Sequence, residues 1–249
     1  MSKVPLVHAP LVHAEALVPG RRISLDRTHA RGLLFRGINA KEAFTLVDKD
    51  GRFFRASLAS LAEDGGEALV YEAMPHSPES PAHITLLCAV LARQRMLGVI
   101  QKATELGVVR VVPVFSERSV KKEGLAHEKA HAWPGQALRA SRQCRRASVP
   151  EVRNAVSLTA ALDDTTFKDA SRRYYLDDRA GDCAAPDPAG VSSIEVAFAV
   201  GPEGGWTDEE RSLLAERGAS TLRFGGRVLR AETAVLVGIA RLQQVYGDL

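Results

Sequence analysis

The chain has 249 residues, 45% of them hydrophobic and 25% charged, long enough to bury a sizeable core and to divide into two domains. No apolar run approaches the length that spans a bilayer, and the stretch MSKVPLVHAPLVHAEALVPG lacks the continuous apolar core of a signal peptide. Three cysteines (Cys88, Cys144 and Cys183) without CxxC or Cys/His ligand spacing argue against a disulfide framework or a metal site and for a reducing, cytoplasmic setting, while a net charge of +3 permits a nucleic-acid partner without implying one.

Between Arg21 and Tyr71 the patterns are short and strand-like. FTLV (44–47) and RFFRASL (52–58) flank Asp48-Lys-Asp-Gly, a hairpin turn with glycine at the position needing positive φ, and EALVY (67–71) makes a further strand. Residues 1–72 therefore suit a small β-barrel. Pro75, Pro78 and Pro81 then forbid regular structure, and residues 73–83 read as a linker.

From 84 to 249 strands alternate with helices. ITLLCAVL (84–91) is a continuous apolar run, as in a strand covered on both faces. Residues 96–106 carry helical spacing that stops at Gly107. The next strand is 108–115, and 125–144 reads as a helical region broken by Trp133-Pro134-Gly135. Strands at 173–176 and 194–200 precede a helix over 208–217, with Thr207 as its cap, Glu210 completing a capping box and Gly218 as its stop. A strand at 220–224 and a helix at 230–246 close the pattern. The fold class is α/β, with a mostly parallel sheet covered on both sides.

In such sheets ligands bind beyond the C-terminal ends of the strands. Three loops lie there: DDRAG (177–181), GPEGG (201–205) and GGRVLRAET (225–233). The last two place consecutive glycines between a strand and a helix, where backbone amides meet a ligand with no Cβ between them. Each alone also reads as an ordinary turn, with Glu203 merely solvated. Neither GxGxxG nor GxxxxGK[ST] is present, which argues against a conventional dinucleotide or phosphate loop. Arg139, Arg142 and Arg146 are spaced to share one helical face with Arg145 beside them, a stripe suited to phosphates or simply a solvated face. Arg21, Arg22, Arg27, Arg31 and Arg36 form a second basic group.

QKATELGV (101–108), FSERS (115–119), RQC-x-R-x-x-VPEV (142–152), GPEGG (201–205) and RVLRAETA (227–234) occur in that order. Together they resemble the bacterial 16S ribosomal RNA uracil-N3 methyltransferases of the knotted SPOUT class, over most of 84–249. The resemblance implies a trefoil-knotted α/β domain, an exception to the rule against knots, preceded by a PUA-like β-barrel. It also implies a homodimer, S-adenosylmethionine as cofactor, no metal, and 16S ribosomal RNA in the assembled small subunit as partner. The expected cofactor contacts are Leu176, Val200, Gly201, Pro202, Glu203, Gly204, Leu222, Phe224, Gly225, Val228, Leu229, Arg230 and Thr233. Arg36, Arg139, Arg142, Arg145 and Arg146 are expected on RNA.

Arg230, Glu232 and Glu203 are the expected catalytic residues. N3 of uracil carries a proton and is a poor nucleophile until that proton leaves. The anion spreads over two flanking carbonyl oxygens, where a fixed guanidinium stabilises it. Glu232 or Glu203 then accepts the proton or orients the arginine, although Glu232 also reads as a helix-start acid favoured by the macrodipole. The chain departs from the family at Leu33, where an arginine is common, at Arg145, where glycine is, at Ala92-Arg-Gln-Arg95, and at Pro134-Gly135. A SPOUT ribose 2′-O-methyltransferase, a non-catalytic RNA-binding protein and a nucleotide-dependent α/β enzyme remain as alternatives.

Overall fold

The computed structural model describes residues 8–179 and 193–249; Cys183, the end of the 177–181 loop and the first seven residues lie outside the described residues. The chain divides into two compact units. One runs up to Glu79 and includes Ser141–Val149; the other comprises Ser80–Ala140 and Pro150–Leu249.

The first unit is built on β1 (Arg22–Leu25), α1 (Arg27–Phe35), β2 (Ala43–Val47), β3 (Phe53–Ala62) and β4 (Gly65–Ala73), whose strands form an antiparallel sheet in the order β1-β4-β3-β2. The β2–β3 turn falls at Asp48-Lys-Asp-Gly as the sequence indicates, with Gly51 at φ 77°. The buried Asp48 carboxylate accepts the N–H groups of Leu17, Asp50 and Arg52 and pairs with the Arg52 guanidinium at 2.7 Å. A helix stands where the sequence reads as strands alone. Asp26 caps α1 by accepting the His29 N–H at 2.9 Å, and the His29 ring accepts the Asp26 N–H at 3.3 Å. This is a capping box with histidine in the place usually taken by Glu or Gln, so the pattern search passes over it. Leu33, Leu46, Phe54, Leu58 and Val70 are buried in the core between helix and sheet.

Ser141–Val149 also belongs to this unit, a correction to the single stretch 84–249 read from the sequence. Glu79 ties it in. Its carboxylate accepts the N–H groups of Ala147 and Ser148 at 2.8 and 2.9 Å and the Ser148 hydroxyl at 2.6 Å, and it pairs with Arg146 at 2.7 Å. Burial alone would raise the Glu79 pKa, but the Arg146 charge and the hydrogen bonds outweigh it and hold the carboxyl below its ordinary 4.5.

The second unit takes up β5 (Ala82–Ala89), α2 (Arg93–Glu105) and β6 (Arg110–Phe115). The strand β5 begins inside the stretch read as linker, 73–83. Then come α3 (Trp133–Gln143), β7 (Glu151–Val152), β8 (Val156–Ser157), α4 (Leu158–Asp163) and α5 (Thr165–Lys168), followed by β9 (Arg172–Leu176), β10 (Ile194–Val200), α6 (Asp208–Glu216), β11 (Ser220–Leu222) and α7 (Ala231–Tyr246). The sheet runs β11-β9-β10-β5-β6-β7, with β8 also beside β6, and every pairing is parallel. Trp133-Pro134-Gly135 starts α3 rather than breaking a longer helix, because proline in a first turn gives up only an N–H with no intrahelical partner. Beyond the end of α3, Arg145 adopts a left-handed backbone at φ 63°. Arg146 is therefore off the helix, and the three-arginine helical face read from the sequence does not form.

Both faces of the sheet are covered, which is why β5 and β10 are apolar from Leu86 and Val196 onward, while His83 and Glu195 at their amino ends pair with each other. Val196, Phe198 and Val200 face one cluster with residues of α2 and α7, while Ala197 and Ala199 face another with Leu162, Phe167 and Leu214. The helix α7 lies so close to Phe198 that a Cβ on Gly238 would fall 2.2 Å from its ring. Thr207 and Glu210 form the expected capping box on α6. No helix among the described residues is long and apolar enough to cross a membrane.

The Glu79 junction gives a signed prediction. Glu79→Gln removes the carboxylate charge that faces the buried Arg146 and lowers stability at pH 7 by about 3 kcal/mol. A carboxyl with a lowered folded-state pKa contributes fully above its unfolded value, near 4.5, and loses that contribution as pH falls through the folded value. Urea denaturation of both proteins at pH 7 and pH 3.5 should show the gap narrowing at the lower pH.

Candidate active site

The carboxyl ends of β9, β10 and β11 deliver three loops into one cleft of about 1030 Å³, its open mouth included. The lining comprises residues 176–179, 200–206 and 223–229, with Ala231 and Ala234 from α7. Ten of the residues expected to touch a cofactor line it together: Leu176, Val200, Gly201, Pro202, Glu203, Gly204, Phe224, Gly225, Val228 and Leu229. Three do not. The Leu222 side chain turns into the core at the end of β11 and is 2% exposed. Arg230 precedes α7 as its N-cap residue, and Thr233 lies in the first turn; both are exposed outside the lining.

Side chains from outside the glycine loops hold them in place. The Trp206 indole N–H donates to the Leu176 carbonyl at 3.1 Å, which joins the loop after β10 to the end of β9. A Cβ on Gly201 would sit 3.0 Å from that indole, and Gly205 turns the chain at φ 69°, so glycine is the residue both positions accept. Arg118 donates to the Gly204 carbonyl at 2.7 Å. Glu210 accepts the Glu117 N–H at 2.8 Å while completing its capping box. FSERS and GPEGG, far apart in sequence, thus meet at one corner. Asp177, almost fully buried, receives Arg211 Nε at 2.8 Å and steadies the loop after β9.

The cleft edge concentrates charge. Arg95, from the first turn of α2, hydrogen-bonds Glu203, and its Nε lies 3.9 Å from Glu232. The other Glu232 oxygen is buried with no hydrogen-bond partner among the described residues. A cation in a helix's first turn opposes the macrodipole, and α2 has neither a capping side chain nor an acid there. The two carboxylates offset that cost. Nearby, burial pushes the Cys88 thiol up to about 12, with the Glu203 charge adding to it, so it is no nucleophile at neutral pH. Among the described residues no group of three or more His, Cys, Asp or Glu side chains is placed to hold a metal ion.

The expected RNA arginines divide. Arg139, Arg142 and Arg145 are exposed, Arg142 pairing with Glu42 at 2.9 Å. Arg36 and Arg146 are 5% and 7% exposed, so Arg146 lies off the helical stripe read with Arg139 and Arg142, and Arg36 lies beneath the surface of the second basic group.

A parallel α/β unit with a glycine-lined cleft at the carboxyl ends of its strands is a ligand-binding frame of the topological-switch kind. The family model described as an RNA methyltransferase domain matches residues 78–243, and the chain belongs to that family. It is 30% identical over 215 residues to the ribosomal RNA small subunit methyltransferase E of Synechocystis, covering 81% of this chain and 65% of that protein. The protein of the same name from Aquifex aeolicus is 30% identical over 157 residues, covering 63% and 66%. The match therefore spans just under two thirds of these relatives' length. Among solved structures, the Neisseria gonorrhoeae ribosomal RNA small subunit methyltransferase E bound to S-adenosyl methionine is similar at a TM-score of 0.68 and 30% identity, covering 97% of this chain and 100% of that one. A putative Legionella pneumophila methyltransferase with the cofactor SAM bound gives 0.66 and 30%, covering 96% and 98%.

Gly201→Ala should push the Trp206 ring out of register with Leu176. The chain has two tryptophans, so in a Trp133→Phe background the emission of Trp206 should shift to the red; unchanged emission would show that the loop absorbs the methyl group.

Proposed function

We propose that the chain is an S-adenosylmethionine-dependent methyltransferase that acts on N3 of a uridine in small-subunit ribosomal RNA. The observation that carries this reading is the single cleft made by the GPEGG loop, the GGRVL loop and the end of β9, with Arg95, Glu203 and Glu232 gathered at its edge.

The residues present fit that cofactor. Leu176, Val200, Phe224 and Leu229 supply apolar walls for a flat base. The glycine-rich backbone of 201–205 and 225–226 supplies N–H and C=O groups for the polar parts with no Cβ in the way. When bound, the cofactor supplies an electrophilic methyl group.

The chain's own residues prepare the nucleophile. Arg230 stands exposed at the start of α7, where its guanidinium can neutralise the charge that spreads over the uracil carbonyls as the N3 proton leaves. Arg95 holds Glu203 and Glu232 together, so that one carboxylate accepts that proton while the other keeps Arg95 in place. Arg139, Arg142 and Arg145 are the surface arginines for phosphate contact.

The finer fold follows the same reading: a trefoil knot in the second unit, supported by loops 200–206 and 223–229 converging beside β9, and a PUA-like barrel in the first, supported by its four antiparallel strands. A homodimer is supported by the exposed Val228 and Val237, and a cytoplasmic setting and the assembled small subunit by the ribosomal RNA named for the relatives.

Calorimetric titration with S-adenosylmethionine, NADH serving as control, should show binding of the methyl donor alone; no binding would remove the reading. Arg230→Ala should lower methyl transfer to small subunits about 100-fold while changing donor affinity by less than about threefold. An equal loss in both would make Arg230 a cofactor ligand. Arg95→Ala should lower methyl transfer without weakening donor binding, and activity at the wild-type level would free the two carboxylates from it.

A further inference from the structure

We propose that the first unit carries a second ligand site, a pocket for a phosphate group built on Arg36, Arg55 and Arg142 around Thr45 and Ser141. Only the choice of RNA as the favoured source of that phosphate rests on the methyltransferase reading.

The pocket is narrow and lies wholly within the first unit. Five of its lining residues are cationic or carry a hydroxyl and are buried: Arg36, Arg55, Arg146, Thr45 and Ser141. Two of the lining cations have counterions, Arg146 with Glu79 and Arg142 with Glu42. The other two have neutral partners. Arg36 donates to the carbonyls of Gly32 at 3.0 Å, Ala9 at 2.6 Å and Ala147 at 3.2 Å. Arg55 Nη1 donates to the Thr45 hydroxyl at 2.8 Å, which in turn donates a hydrogen bond to the Arg145 carbonyl at 2.8 Å. Arg55 Nε is buried with no hydrogen-bond partner among the described residues.

Such an arrangement is costly as it stands. Burial pulls the Arg36 pKa down to about 10, and the Glu79 charge restores only part of it. A buried cation without a counterion is destabilising, and a buried donor left unmade costs about 1–3 kcal/mol. A tetrahedral oxyanion answers both needs. It accepts first from the Arg55 Nε–H that has no partner among the described residues, and its charge faces the Arg36 and Arg142 guanidinium groups that line the same pocket. Ile38, Phe44 and Val149 complete the walls and keep the local dielectric low, which strengthens the attraction. The chemistry is that of a phosphate oxyanion, whether the internucleotide phosphate of RNA or the free anion.

The orphan donor gives a direct readout. The full chain, labelled with 15N-arginine, yields an Nε–Hε signal for Arg55 that is assigned by its loss in Arg55→Lys, or by its displacement in Thr45→Val should the lysine variant not fold. The probes are inorganic phosphate and a single-stranded oligoribonucleotide without terminal phosphates, at an ionic strength held constant with chloride. The signal should move saturably with phosphate, and Arg55→Gln should weaken phosphate binding at least tenfold. Movement with both probes identifies the internucleotide phosphate as the ligand; movement with phosphate alone identifies the free anion. A signal unmoved by either probe, or moved as far by chloride, overturns the site. S-adenosylmethionine affinity is measured on the same samples and should be unchanged in Arg55→Gln, so failure of the methyltransferase reading is recorded separately.

Discussion

The parallel register of β10 against β5 sets Val200 opposite Cys88, and the chemistry of the second unit descends from that alignment. Both strands end at the same level, so the loops that leave them open side by side. Glu203 lies three residues past the end of β10, and Arg95 lies in the first turn of the helix that follows β5. The two meet although 108 positions separate them. A slip of one residue would turn Phe198 from α7 towards the opposite face and carry Glu203 away from Arg95. The register is held because each face has its own demand: bulky Val196, Phe198 and Val200 against one set of helices, small Ala197 and Ala199 against the other. Gly238 reinforces it by admitting the Phe198 ring into the surface of α7.

Much of this was legible from the chain alone, for identifiable reasons. The continuous apolar runs of β5 and β10 and the capping box at Thr207 are local signals that tertiary structure has no cause to override. The glycine loops were legible because few other residues tolerate such backbone paths. What escaped the sequence depended on distant partners or unusual substitutes. The helix α1 hid behind His29, which does the work of a glutamate. Arg95, Arg118 and Trp206 are ordinary residues in the sequence, and they matter only because folding sets them against Glu203, Gly204 and Leu176. The helical stripe of arginines failed because a left-handed residue at Arg145 ends the periodicity that spacing alone assumes. Leu222 stands outside the cleft lining because alternation along β11 points it into the core.

Charge is arranged on two principles. Around the cleft, Arg95, Glu203 and Glu232 are part-exposed and close together, which keeps them adjustable. In the first unit the half-buried Glu79 and the buried Arg146 are heavily hydrogen-bonded, so they act as a fixed joint. The same class of side chain therefore stands part-exposed at the cleft in one unit and closed into hydrogen bonds in the other, and burial rather than residue type separates the two arrangements.

That joint bears on how the chain can be divided. Glu79 closes the first unit, yet the groups that satisfy it come from 146–148, after some sixty residues that belong to the second unit. A cut at the apparent boundary would yield an N-terminal fragment whose last acid lacks its arginine and its amides. It would equally leave the C-terminal fragment carrying an arginine that evolved to be buried. The two units are thus interlocked as sequence, and any exchange of the first unit between related proteins must carry two segments, not one.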